Sequence, residues 1–510
     1  MGAVVERKAG SRAVVRLLKE KGMLREVISP RGWGCDPEDA PELEIDSLSY
    51  TTKGCSPSTL LFCKGAFKEE YLRGTRTRLC VSSAPFPSFP GTQIIVEDAA
   101  KAMAEVGAWF YSYPQERLCL AGITGTKGKT TTAFFARAIL ASHFGSCGLL
   151  SSAKNCADGK NFTPSSLTTP ESLDIFKALS SALENGVGHF VMEVSSQAYK
   201  VSRTFGIEFD AGAFLNISPD HVSPSEHPNF EDYFYCKRRL LENSRAAVYS
   251  ADLGEWERPV AQAAKGKAES LSFSLSSPSS DLFLKKTCEG PEVFFEGRSL
   301  GVFRLSMEGD FNLANAMAAI GIAIECGVPA SSPALHALEK VKVAGRMERL
   351  DPAPGITVYV DYAHNYLSLA SLIRHAQASF EDPRITVVTG ATGTKGLNRR
   401  EGLGKAASLG AERLILTTDD RDFDPLDEID AQIEKAVSNP KTAVEREDDR
   451  TRAVLSALDG AKRDFERTGR QNVVLLVGKG DEDWIKVEGR KIPQEPDGKI
   501  VEGWARGLTS

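Results

Sequence analysis

Short apolar runs alternate with amphipathic stretches along this chain, and the order of the two predicts its architecture. Up to about residue 116, runs such as LLFCKG (60–65) and QIIVEDAA (93–100) are separated by turn residues, which predicts a small α/β domain. LCLAGITGTKGKTTTAFFARAIL (118–140) then reads as strand, glycine turn and helix, with Phe134, Ala136 and Ile139 on one helical side. Further strands are predicted at HFVMEV (189–194) and DAGAFLNI (210–217), and a helix from Phe230 to about Glu242. Residues 268–306 alternate like β (SLSFSLSS, EVFFEG, SLGVFRL) and suggest a side sheet. The helix after Asn312 holds the longest apolar run, Ala316 to Ile324. From near Gly345 the strand-then-helix rhythm repeats through ITVYVDYA (356–363), ITVVTGAT (385–392), RLILTTDD (413–420) and NVVLLVGKG (472–480). Such repetition predicts doubly wound parallel sheets whose functional residues lie at the carboxyl ends of strands. The expected fold class is α/β in three blocks, 1–116, 117–344 and 345–510.

Length supports that division, since 510 residues exceed what one compact core accommodates. Hydrophobic residues at 42% and charged residues at 25% are ordinary for soluble globular protein. The 62 basic against 68 acidic side chains argue against bulk nucleic-acid binding but allow a local phosphate site. No run approaches the roughly 18 apolar residues of a membrane span. The opening MGAVVERKAGSRAVVRLLKEKG lacks a continuous apolar core and reads as an amphipathic helix, not a signal peptide. Ten cysteines without a CxxC pair are expected to be free thiols in a reducing cytoplasm. With no long heptad, a monomer is expected.

The chemistry concentrates at Gly125-Thr126-Lys127-Gly128-Lys129-Thr130, between a predicted strand and a predicted helix. Glycines there let backbone N–H groups turn toward phosphate oxygens, and the helix N-terminus adds partial positive charge. Lys129 is expected on the β- and γ-phosphates and the Thr130 hydroxyl on Mg²⁺. The full P-loop spacing is not met, because position 123 is Ile instead of Gly. A kinase, a GTPase, an ATPase and a ligase all remain compatible with this loop. Glu193 and Ser195-Ser196 follow one strand, and Asp220-His221 follow another. A carboxylate and a neutral imidazole at such strand ends can hold a second Mg²⁺, although a loop histidine capping a turn reads the same way. Arg346 lies at the junction of the second and third blocks, where it either reaches phosphate or forms a structural ion pair.

Eight ordered motifs carry a family resemblance: GITGTKGKTT, SLTTPES (166–172), MEVSSQA (192–198), NISPDH (216–221), EDYFYCKRRL (231–240), FNLANAMAA (311–319), GRMER (345–349) and VDYAHN (360–365). Together they resemble the Mur ligases, specifically the MurE-type UDP-N-acetylmuramoyl-tripeptide synthetases and among them the lysine-adding branch. The resemblance implies a small N-terminal UDP-binding domain, a central P-loop ATPase domain and a C-terminal Rossmann-like domain. It implies that Thr126, Lys127, Gly128, Lys129, Thr130 and Thr131 hold ATP phosphates, and that Asn312 and Asn315 face adenine. Arg346 and Asp361 match residues that reach nucleotide phosphate and ribose. Glu193, His221 and a carbamylated Lys237 match metal ligands beside Thr130, for two Mg²⁺ ions. Ser49, Thr168, Thr169, Ser195 and Arg203 match contacts to the UDP-muramoyl dipeptide. The family's Asp-Ser-Arg segment appears here as Thr51-Thr52-Lys53.

The implied reaction joins an amino acid to UDP-MurNAc-L-Ala-D-Glu through an acyl phosphate made from ATP. Diaminopimelate-adding members carry Asp-Asn-Pro-Arg where this chain has Asp419-Asp420-Arg421-Asp422. An aspartate in the arginine's place repels a distal carboxylate and accepts a bare ammonium, which favours L-lysine. Lys395 stands where relatives hold the α-carboxylate, and Glu482 matches an acid at the substrate end. Meso-diaminopimelate and L-ornithine remain alternatives, the latter because one methylene is weakly discriminated. The acidic residues at 422–427 also read as a solvated loop. A folylpolyglutamate synthetase-like ligase is a more distant alternative, disfavoured by TTPES and MEVSSQAYKVSR. A non-catalytic regulator is expected to have lost Lys129, Glu193, His221 or Lys237, and all four are present.

Overall fold

The computed structural model describes residues 8–509 apart from 220–222, 224–225, 268 and 395, and excludes the side chains of 398, 508 and 509. His221, Asp220 and Lys395 therefore lie outside the described residues. The chain forms two compact units: residues 1–218, 231–304 and 313–338 make the first, and 219–230, 305–312 and 339–510 the second.

The first unit opens with helix α1 (Ser11–Glu20), whose Val14, Val15, Leu17 and Leu18 form one buried stripe. It packs on a six-stranded sheet made of β1 (Leu24–Ser29), β2 (Gly32–Gly34), β3 (Ser47–Ser49), β4 (Thr59–Cys63), β5 (Leu79–Ser82) and β6 (Thr92–Val96). The spatial order is β2-β1-β6-β5-β4-β3, parallel from β6 to β3 and antiparallel at β1 and β2. Helix α2 (Ala99–Phe110) covers it, started by Asp98, whose carboxylate accepts the Ala100 and Lys101 N–H groups.

The same unit contains a nine-stranded sheet. Its elements are β7 (Cys119–Thr124), α3 (Lys129–Phe144), β8 (Gly148–Leu150), α4 (Ser172–Glu184), β9 (His189–Glu193), α5 (Ser196–Lys200), β10 (Phe209–Phe214), α6 (Phe230–Glu242), β11 (Ser244–Ser250), α7 (Glu257–Ala264), β12 (Glu269–Ser274), β13 (Leu282–Thr287), β14 (Gly290–Phe295) and β15 (Arg298–Val302). Helix α8 (Asp310–Glu325) follows in sequence, its residues from 313 onward belonging to this unit. The order β8-β9-β7-β10-β11-β12-β13-β14-β15 is parallel through β13 and antiparallel beyond. The alternating stretch at 268–306 thus extends the main sheet instead of forming one of its own. Strand β7 sits between β9 and β10 with both faces covered, which is why CLAGIT is continuously apolar to Ile123. Gly122 gives α6 room: a Cβ there meets Leu240 at 2.8 Å.

The second unit is built on β16 (Glu348–Ala353), β17 (Ile356–Asp361), α9 (Tyr366–Ser379), β18 (Arg384–Thr389), α10 (Asn398–Ala407), β19 (Arg413–Leu416), α11 (Leu426–Lys435), β20 (Ala443–Arg446), α12 (Arg450–Thr468), β21 (Asn472–Val477), the hairpin β22 (Trp484–Val487) and β23 (Arg490–Pro493), and α13 (Asp497–Thr509). Its sheet runs β16-β17-β21-β18-β19-β20, with only β16 antiparallel. This is the doubly wound arrangement the sequence rhythm predicts, and the molecule is α/β throughout.

Candidate functional site

The loop between β7 and α3 is shaped by two glycines in backbone conformations that side-chain-bearing residues rarely adopt: Gly125 at φ +154° and Gly128 at φ +84°. Gly128 caps α3, and a Cβ there would run into the Asn315 side chain. Asn216, just beyond β10, clamps the loop from the side. Lys127 N–H donates to Asn216 Oδ1 at 2.8 Å, and Asn216 Nδ2 donates to the Lys127 carbonyl at 3.0 Å. Thr126 shares its hydroxyl with Tyr233 at 3.1 Å and accepts the Ser218 N–H at 3.0 Å. Thr126, Thr130 and Thr131 are all buried.

Two lysines converge on this loop. Lys129 Nζ donates to the Gly125 carbonyl at 2.8 Å and to the Thr126 carbonyl at 3.3 Å. Lys237 Nζ donates to the same Gly125 carbonyl at 2.7 Å and lies 4.7 Å from the Tyr233 ring centroid. Lys237 is 2% exposed because helical spacing sets it on the face of α6 shared with Tyr233, Leu240 and Leu241.

Glu193 ends β9, one strand from β7, and is 1% exposed. Ser152 joins it to the loop: its N–H donates to Glu193 Oε1 at 2.7 Å, and its hydroxyl lies 2.9 Å from Thr130 Oγ1. Thr130, Ser152 and Glu193 form a connected set of hard oxygen donors, the type Mg²⁺ prefers. On the other side of Glu193, the Thr169 hydroxyl donates to its carbonyl at 2.9 Å and accepts Ser195 N–H at 2.9 Å. Arg203 Nη1 donates to the Thr169 carbonyl at 3.1 Å and its Nη2 pairs with Glu171 at 3.0 Å. Glu171 also pairs with Lys64 at 2.9 Å, and Tyr50 donates to Asp174 at 2.6 Å, which joins the six-stranded sheet to α4. Thr168 is half-buried beside Thr169. Ser49 bonds locally, donating to the Thr51 carbonyl at 2.7 Å and so holding the Thr51-Thr52-Lys53 turn.

In the second unit, Arg346 stacks over the Tyr362 ring at 4.5 Å, and Met347 N–H donates to Asp361 Oδ2 at 2.7 Å. Gly345, at φ +64°, lies against the backbone of Gly480 and Asp481, so the GRMER segment touches the loop after β21. Tyr362 donates to Glu482, which also pairs with Lys479. Lys479, 2% exposed, bonds Asp420 at 2.8 Å and lies 4.0 Å from Asp419. Burial alone would lower the Lys479 pKa, but Asp419, Glu482 and Asp420 outweigh it and raise it. Burial raises that of Glu482 against the pull of Lys479, and burial with Glu482 raises that of Tyr362. Asp422 has a φ of +49°, and its carboxylate accepts Lys486 Nζ at 2.6 Å and Gly489 N–H at 2.7 Å from the hairpin.

The structure therefore brings Thr126 through Thr131 together with Lys237, Glu193 and Asn315 in the first unit. In the second it gathers Arg346, Asp419, Asp420 and Glu482, with Asp361 on the Met347 backbone. Asn312 bonds the Glu308 carbonyl at 2.8 Å in that unit. Sequence reasoning missed Ser152, Asn216, Tyr362 and Lys479 as individual residues. Asn216, Tyr362 and Lys479 sat inside quoted segments, at strand ends where function is expected.

Comparison with known proteins agrees with this layout. Residues 123–323 match the Mur ligase middle domain, and residues 345–480 match the Mur ligase, glutamate ligase domain. A UDP-N-acetylmuramyl-tripeptide synthetase of Bifidobacterium longum is 40% identical, over 95% of this chain and 97% of its own. The UDP-N-acetylmuramoyl-L-alanyl-D-glutamate--L-lysine ligase of Enterococcus faecalis is 39% identical, over 96% and 98%. Among solved structures, MurF from Acinetobacter baumannii shares the fold, with a TM-score of 0.63 at 16% identity over 93% of this chain and 96% of that one. No described helix is long and apolar enough to cross a membrane. Site geometry and near full-length similarity lead to one assignment: the chain belongs to the Mur ligase family.

Proposed function

We propose that this chain is an ATP-dependent ligase that adds L-lysine to the D-glutamate γ-carboxylate of UDP-MurNAc-L-Ala-D-Glu, in the cytoplasm and as a monomer. The observation that carries the reading is the convergence of Lys129, Lys237 and the Thr130–Ser152–Glu193 chain on one glycine-shaped loop. A carboxylate resists attack by an amine because its leaving group would be oxide. Transfer of the γ-phosphoryl group of ATP to a carboxylate oxygen, with ADP leaving, gives an acyl phosphate. The neutral amine attacks its carbonyl carbon and loses a proton, and phosphate departs with the electron pair.

Each group then has a role. Loop N–H groups from Thr126 to Thr131 and the Lys129 ammonium bind and orient the phosphates. Thr130 and Glu193 suit one Mg²⁺, while His221 and carbamylated Lys237 join Glu193 for a second. Bound Mg²⁺ supplies neutralisation of the charge that moves between phosphate oxygens. Carbamylation of Lys237 fits its surroundings, since two ammonium groups sharing the Gly125 carbonyl repel each other and a carbamate removes that repulsion. Arg346 and Asp361 serve phosphate and ribose, Asn312 and Asn315 the adenine. Ser49, Thr168, Thr169, Ser195 and Arg203 serve the UDP-muropeptide.

The amino acid falls to the second unit, with Lys395 for its α-carboxylate. There Lys479 faces Asp419, Asp420 and Glu482, with Arg346 over the neighbouring Tyr362 ring, so two cations meet three acids. That excess of negative charge favours a substrate ending in a bare ammonium over one ending in a carboxylate. Arg421 supports the same choice, since its guanidinium donates to the Asp424 carbonyl at 3.3 Å and lies 4.0 Å from Glu488.

The test is phosphate release from ATP with UDP-MurNAc-L-Ala-D-Glu and, in turn, L-lysine, L-ornithine and meso-diaminopimelate. Strongest stimulation by lysine is expected. Preference for diaminopimelate overturns the charge argument, and silence with every amine overturns the ligase reading.

A further inference from the structure

The turn leading into α8 contains a residue that no motif singled out. Glu308 bonds three elements of the second unit through its carboxylate. It accepts Arg349 Nη1 at 2.8 Å from β16 and the Tyr359 hydroxyl at 2.8 Å from β17, and it lies 3.1 Å from His375 Nε2 on α9. Its main-chain carbonyl accepts Asn312 Nδ2 at 2.8 Å. Arg349 is braced in turn by Asp351 at 3.1 Å, whose other oxygen accepts the Thr357 hydroxyl at 2.8 Å. Tyr359 is buried. The turn itself is fixed by Gly309 at φ +98°, where a Cβ would press on the Phe311 ring at 2.7 Å. Burial works against the Glu308 anion, but Arg349 and Tyr359 outweigh it and hold its carboxyl below the ordinary range.

An asparagine amide reads a base edge through the direction of its donor and its acceptor. The bond from Nδ2 to the Glu308 carbonyl sets that direction for Asn312. The strands that grip Glu308 are the same two that follow Arg346 and end in Asp361. We propose that Glu308 is a positioning residue for nucleotide recognition: anchored to β16, β17 and α9, it fixes the Asn312 amide and through it the fit of the adenine base. This rests on the reading of Asn312 as adenine-facing.

Steady-state phosphate release by the full-length protein tests it. Losing a charged anchor of this kind is worth about a tenfold change, so Glu308→Ala is expected to raise KM for ATP about tenfold. Its kcat should stay within about threefold and its KM for the amino acid should not move, a split that general loosening does not produce. Preference for ATP over GTP should fall with it. Glu308→Gln keeps a carbonyl acceptor for Arg349 and Tyr359 and is expected to recover most of the affinity, which guards against misfolding of the alanine variant. In an Asn312→Ala background, Glu308→Ala should add less than about twofold, because both act through one amide. Additive effects, or equal rises in KM for every substrate, overturn the proposal. An unchanged KM for ATP in Asn312→Ala removes the adenine reading and the proposal with it. A raised KM there, with Glu308→Ala silent, overturns the proposal alone.

Discussion

Replacing Asn216 by alanine removes both bonds to the Lys127 peptide, at 2.8 and 3.0 Å, and leaves a half-buried N–H and carbonyl without that partner. Each bond contributes about 1 kcal/mol net, and an unsatisfied group adds to the loss, so about 2–3 kcal/mol is at stake. Gly125, Gly128 and the Thr126 bonds still favour the loop's shape, so much of that loss should appear as weaker ATP binding. At about 1.4 kcal/mol per decade, KM for ATP should rise by roughly 10- to 50-fold. Asn216→Asp adds a charge to the loss of the bond to the Lys127 carbonyl. The aspartate keeps an acceptor for Lys127 N–H, but its other oxygen replaces the donor to the Lys127 carbonyl, and it brings a negative charge to the loop. At roughly 7 Å and an effective dielectric near 20, that charge costs about 2 kcal/mol against each phosphate charge. The aspartate variant should therefore bind ATP at least tenfold more weakly than the alanine variant. The assay is phosphate release at saturating muropeptide and amino acid, paired with thermal melting with and without ATP. An aspartate variant that binds ATP as well as the alanine variant would refute a triphosphate on this loop.

Asp430, on α11, is 1% exposed with Oδ1 lacking a hydrogen-bond partner, and its carboxyl is pushed up to about 7, mainly by burial. The native state then holds this proton more tightly than the unfolded chain, so stability declines as pH rises from about 4 to about 7 and stays lower above. Asp430→Asn should leave stability unchanged near pH 4 and raise it by about 2–4 kcal/mol at pH 8, as urea unfolding at both pH values will read. A gain of the same size at both speaks against a buried acid. Arg450 and Asp497 form a fully buried pair at 2.7 Å that joins the starts of α12 and α13. Asp497→Ala removes the guanidinium's direct carboxylate partner and should cost about 3–5 kcal/mol in urea unfolding; a loss under about 1 kcal/mol means the pair is not a structural tie.

Buried parallel strands announce themselves, because covering both faces makes them continuous apolar runs. CLAGIT, HFVME, ITVYVD and NVVLLV were legible for that reason, and so was the helix Phe230–Glu242. Pairing was not legible where only the crossover decides it. Strands β12 to β15 alternate like any half-exposed sheet, and nothing local says that they continue the main one. Side-chain partners across long separations were equally hidden. Asp422 and Lys486 lie 64 positions apart, so spacing showed only an acid in a loop. Ser152 follows β8 without any motif of its own, yet it connects Thr130 with Glu193. Family resemblance supplied roles for Lys237 and Asn312 that composition could not, since a buried lysine and a helical asparagine have no distinctive pattern.

The placement of Asp422 changes how amino-acid choice should be argued. With both oxygens taken by the hairpin, its charge is already offset by Lys486, and an arginine there would meet that lysine and lose the Gly489 bond. Weaker lysine use in such a variant would follow from a displaced hairpin as readily as from a changed contact with substrate. The hairpin in turn touches the acid cluster, because Lys486 N–H donates to Asp420 Oδ1 at 2.9 Å, the oxygen that also binds Lys479. Asp420 therefore couples the hairpin to the cluster. Selectivity for an ammonium is better read as a property of the net charge around Lys479 than of any single position replacing the arginine of diaminopimelate-adding relatives. The same logic holds in the first unit, where Ser152 ties Thr130 to Glu193 and Asn216 holds the Lys127 backbone. In both units the candidate side chains, at strand ends or on the helices α3 and α6, are held by a neutralising or hydrogen-bonding partner from elsewhere in the chain.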